Sequence, residues 1–108
     1  MTPMLELSHR LTDAASEAIH ATRPKTFDAA VERFTRILQT IPDYPGGGLS
    51  NEGFARLNGL AEQVISEIEH RLDGDVGDRR RETLGTHVYE IRRALEEAFT
   101  WRRHYLKT

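Results

Sequence analysis

Apolar residues recur along the chain at alternating intervals of three and four, the period of a helix with one buried face. In the first segment Met4, Leu7, Leu11, Ala14, Ala15 and Ala18 form such a stripe. Thr2-Pro3 predicts its start, a capping hydroxyl followed by proline at the first helical position. Pro24 predicts its end, because the proline ring disfavours helical backbone at Arg23. A second stripe is Phe27, Val31, Phe34, Leu38 and Ile41, with Thr26 the predicted cap and Pro42 the predicted stop. A third runs from a cap at Ser50 or Asn51 through Phe54, Leu57, Ala61, Val64 and Ile68. Leu60, Ile65 and Leu72 widen that face, as a helix touching two neighbours requires. After the turn residues Asp73–Gly77, Asp78 is the predicted N-cap of a long helix over residues 79–106. Its seam is Leu84, Val88, Ile91, Leu95, Ala98, Arg102 and Tyr105, a heptad spacing that the charge of Arg102 interrupts. His87, Ala94, Trp101 and Tyr105 flank the seam, and Tyr89 points away from it.

No segment alternates apolar and polar residues as a strand would, and no 20–50-residue repeat is present. The fold expected is therefore all-α: a small antiparallel up-down four-helix bundle, with a long C-terminal helix, in a single domain over residues 1–108. An alternative is a hairpin of the third and fourth helices that dimerises, with the first two helices packed across it. Only the stretch from Ile41 to Ser50, IPDYPGGGLS, is loop-like over any length, and its three glycines are costly to hold in a regular element. It reads as a connection within the domain. Leu57, Val64, Ile91 and Leu95 are expected to be buried where the third and fourth helices meet.

Composition narrows the functional classes. The chain has 108 residues and no cysteine, which excludes disulfides, thiolate metal sites and cysteine nucleophiles. No apolar run approaches a membrane span, and the first residues lack the basic and apolar character of a secretory signal, so a soluble cytoplasmic protein is expected. The net charge of −2 is unevenly spread. Residues 1–77 carry 7 basic and 12 acidic side chains, whereas residues 78–108 carry 8 basic and 5 acidic. Such asymmetry suits a nucleic-acid partner for the basic helix, or oppositely charged helices lying side by side.

Three Glu-x-x-His pairs, Glu6/His9, Glu17/His20 and Glu67/His70, match the spacing used in di-iron carboxylate bundles, where such pairs project inward. At about 100° per residue, His9, Asp13, Glu17 and His20 lie opposite Leu7, Leu11 and Ala18, and His70 points away from Val64 and Ile68. A buried di-metal centre is therefore not expected. The ridge His9, Asp13, Glu17 and His20 remains a weak surface or interface candidate for metal, and no cofactor is expected.

His70-Arg71-Leu72-Asp73-Gly74 resembles the histidine phosphotransfer motif over five residues, but Asp73 stands where that family has lysine. The carboxylates of Asp73 and Asp75 oppose a phosphoryl group electrostatically. The Pro45–Gly48 loop lacks the lysine of a phosphate-binding loop and follows a helix instead of a strand. No Ser/His/Asp arrangement can be assembled.

The remaining signal lies in the fourth helix. Its arginines are spread over several faces, and those near its end suit the helix dipole without any partner. Tyr89, Trp101, Arg102, Arg103 and Tyr105 are residue types that anchor protein interfaces, although the aromatic flank would equally pack on the first or second helix. The expected function is a non-enzymatic protein-interaction module, a small regulator, adaptor or accessory subunit. Its partner would be another protein or a second copy in a homodimer, with no membrane partner. The alternatives are a nucleic-acid-binding protein using the fourth helix and a metal-binding protein using the Glu/His pairs.

Overall fold

The computed structural model describes the backbone over residues 3–41, 51–74 and 76–107, and side chains over residues 6–41, 53–74 and 76–98. Among the described residues the chain is all-helical with no strand: α1 (Pro3–His20), α2 (Pro24–Gln39), α3 (Asn51–Leu72) and α4 (Asp78–Lys107). The predicted Thr2 cap, Pro42 stop and Ser50 cap lie outside them, as does the side chain of Met4. No helix among the described residues is long and apolar enough to cross a membrane.

Two helix starts differ from the sequence expectation. Arg23, not Thr26, is the N-cap of α2, with extended backbone at φ −110° and ψ 140° and no side-chain capping bond. Pro24 supplies the reason: its locked φ suits the first helical position and its missing N–H is no loss there. The Phe27 amide then closes the first turn on the Arg23 carbonyl at 3.0 Å. Likewise Asp78 is already helical, and the Gly77 carbonyl accepts the Arg81 amide at 3.0 Å. At the end of α2, both the amide and the hydroxyl of Thr40 donate to the Ile37 carbonyl, at 3.1 and 2.6 Å.

The apolar stripes meet in one core. Leu7, Leu11, Ala14, Ala15 and Ala18 of α1 pack with Phe27, Val31, Phe34 and Leu38 of α2. Leu57, Ala61, Val64, Ile65 and Ile68 come from α3, and Ile41 follows α2. Each fully buried large side chain of this set contributes roughly 1.5–3 kcal/mol relative to exposure.

The fourth stripe needs a correction. Leu84, Ile91 and Ala98 are buried as expected, but so are His87 and Ala94, whereas Val88 and Leu95 are only partly covered. The inward face of α4 is thus turned towards the flank, because α4 packs against α2 as well as α3. Leu57, Val64 and Ile91 are buried as predicted; Leu95 lies at the margin.

The principal helix contacts run α1 with α2, α2 with α4, α4 with α3 and α3 with α1. The first residues of α2 and α4 and the last of α1 and α3 meet at one end of the molecule, where Asp28 bonds Arg80 and Arg71 bonds the Ala21 carbonyl.

Candidate functional site

Two regions stand out from the packed core. The first is the polar cluster at that shared end. Phe27 is fully buried in the first turn of α2, and the Arg71 guanidinium from the end of α3 lies 4.0 Å from its ring centroid. Arg71 also donates to the Ala21 carbonyl at 2.7 Å and to Glu67 at 3.1 Å, so one side chain ties α1, α2 and α3 together. From α4, Arg80 donates to both oxygens of Asp28 at 2.8 and 2.7 Å, and its guanidinium carbon is 5.9 Å from the Phe27 ring. His87, only 4% exposed, places Nε2 3.1 Å from Asp28 Oδ1.

The arrangement is a clamp. Asp28 accepts from two side chains of α4 and so holds α2 against α4. No buried side-chain nitrogen or oxygen among the described residues lacks a partner. Beside His87 an open groove between α2 and α4 is lined by Glu32, Glu82, Thr83, Thr86 and Glu90. Sequence reading missed the cluster because its partners lie 52 and 59 positions apart, and no local spacing links them. The one available signal was a histidine on the flank of an apolar seam.

The second region is the outward face of α4. Tyr89 is 61% exposed, the exposed large apolar side chain of the described residues. Its hydroxyl accepts a hydrogen bond from Arg93 Nη1 at 3.1 Å, and Arg93 Nε approaches Glu97 at 3.4 Å. These two neighbours, the Tyr89 hydrogen bond first, hold the Arg93 guanidinium above its ordinary pKa. One turn before Tyr89, Gly85 sits exposed inside the helix, and a Cβ there would meet nothing within 4 Å.

Of the other sequence-selected residues, Trp101, Arg102, Arg103 and Tyr105 fall on the helical backbone of α4, but their side chains lie outside the described residues. His9, Asp13, Glu17 and His20 are all exposed on the outer side of α1. Glu17 pairs with Arg33 of α2, and the His20 ring nitrogen Nδ1 lies 2.8 Å from the Ser16 carbonyl. Among the described residues no three histidine or carboxylate side chains are grouped to hold a metal ion. His70 is exposed and Glu67 half-buried and engaged by Arg71. Compared with family models, curated proteins and solved structures, the chain matches none.

Proposed function

We propose that this chain is a non-enzymatic protein-interaction module that binds its partner through the outward face of α4. The observation that carries the reading is Tyr89. An exposed tyrosine whose hydroxyl is already fixed by Arg93 offers a large contact area at low cost in side-chain freedom. Tyrosine and arginine together are the types most enriched at the centres of protein interfaces. Of the other proposed contact residues, Arg103 continues this face by sequence spacing, while Trp101, Arg102 and Tyr105 continue the inward side of the same helix. By sequence spacing alone, Arg103 falls two heptads after Tyr89, and Trp101 falls one heptad after the buried Ala94.

The scaffold we propose for this surface is an antiparallel up-down four-helix bundle. Residues 21–23 and 73–77 are short connections that favour reversal of direction. The bonds from Arg71 to Ala21 and from Arg80 to Asp28 support α1 running with α3 and α2 running with α4.

Native mass measurement of the chain recovered from its own cells tests the functional reading. The expected result is a protein assembly of fixed stoichiometry that Tyr89→Ala disrupts while helix content is unchanged. An assembly that survives Tyr89→Ala undiminished overturns the reading. So does recovery of the single chain with a stoichiometric metal, small ligand or nucleic acid.

A further inference from the structure

The outward stripe of α4 carries a charge pattern that reads the same in both directions once signs are paired. At helical spacing the stripe runs Arg79, Glu82, Thr86, Tyr89, Arg93 and Glu96, and every one of these residues is exposed. Reflected about a point between His87 and Val88, Arg79 falls opposite Glu96, Glu82 opposite Arg93, and Thr86 opposite Tyr89. Each basic position therefore meets an acidic one. Such self-complementarity is what a two-fold interface requires, since residue i meets j and j meets i.

Resting on the α4 reading above, we infer that the partner is a second copy of this chain, docked antiparallel along α4 in this register. Two further observations fit that occupant. Among the described residues, Arg79, Glu82 and Glu96 form no ion pair within the chain, so their charges are open to a neighbour. Gly85, which lowers helix stability and fills no space in the chain's own fold, lies one turn from Tyr89 and next to Thr86, the position that faces the partner's equivalent of that ring. Its bare backbone gives the incoming tyrosine room for close approach. The paired stretch from Arg79 to Glu96 covers about 25 Å of helix.

Charge reversal tests both the partner and the register. Glu82→Arg alone places two arginine pairs across the dimer, and Arg93→Glu alone places two glutamate pairs there. Each is expected to weaken dimerisation at least tenfold by sedimentation velocity, with circular dichroism unchanged. Mixed in equal amounts, the two variants form complementary contacts at both ends of the register, and the dimer mass is expected to return. Three results overturn the inference: wild-type protein that stays monomeric to high concentration, a dimer indifferent to either reversal, or a mixture that stays monomeric. A wild-type monomer that instead joins a different protein through Tyr89 removes the self-pairing and leaves the broader reading standing. Loss of every Tyr89-dependent assembly removes both.

Discussion

His87 Nε2 and Asp28 Oδ1 lie 3.1 Å apart although 59 positions separate them in the chain, and the same carboxylate takes two bonds from Arg80. This carboxylate is the polar seam between α2 and α4. Asp28→Ala strands a largely buried histidine and an arginine without their acceptor, so a loss of about 1–3 kcal/mol is expected in urea unfolding. Asp28→Asn keeps one acceptor oxygen and should lose less. In a double-mutant cycle with Arg80→Ala, coupling near 1 kcal/mol is expected, and strict additivity would show the contact to be energetically idle.

Along α4 the cost of truncation should follow the observed face and not the heptad seam. Ile91→Ala empties a fully buried site and is expected to cost about 2–5 kcal/mol. Leu95→Ala, at the margin of the core, should cost clearly less. Tyr89→Ala should change monomer stability by no more than about 0.5 kcal/mol. Unfolding midpoints at matched denaturant slope give the ranking, and Leu95→Ala exceeding Ile91→Ala would contradict the face described.

How far the sequence carried the fold depends on the range of the forces involved. The four stripes and their helices were legible because apolar periodicity is local and repeats over several turns: Leu7 to Ala18 and Phe27 to Leu38 are buried as read. The start of α2 was misplaced at Thr26 because proline at the first position outweighed the hydroxyl cap. The rotation of α4 was not legible, since it is set by two neighbouring helices and by the pairing of His87 with Asp28 across the bundle. Tyr89 could be read as outward from its position opposite the seam, and its exposure agrees. The lock between Arg93 and Tyr89 follows i, i+4 spacing and was available to a closer reading.

Gly85 separates the demands of folding from those of association. With open space around it and helical backbone on both sides, Gly85→Ala should stabilise the monomer by about 1 kcal/mol. For a domain of this size that corresponds to a rise of about 4–8 °C in melting temperature. The same methyl group should weaken self-association, because it narrows the space beside Thr86, the position that faces the partner's tyrosine. A variant both more stable and more tightly dimeric would contradict the role given to this glycine.

The exposed ridge of His9, Asp13, Glu17 and His20 should contribute no metal-dependent stability, because Glu17 is engaged by Arg33 and His20 by the Ser16 carbonyl. Melting curves before and after chelation are expected to coincide. Near-stoichiometric zinc, iron or manganese by elemental analysis, with a lower melting temperature after chelation, would reverse that assignment.

Most directly, the function turns on whether α4 is a contact surface anchored by Tyr89. Light scattering over a concentration series, on wild-type and Tyr89→Ala protein side by side, measures this. The expected result is a wild-type mass that rises from one chain to two, with Tyr89→Ala held at one chain and equal helicity by circular dichroism. Mass curves that rise together for the two proteins would contradict it, whereas curves that both stay at one chain would contradict the self-pairing alone.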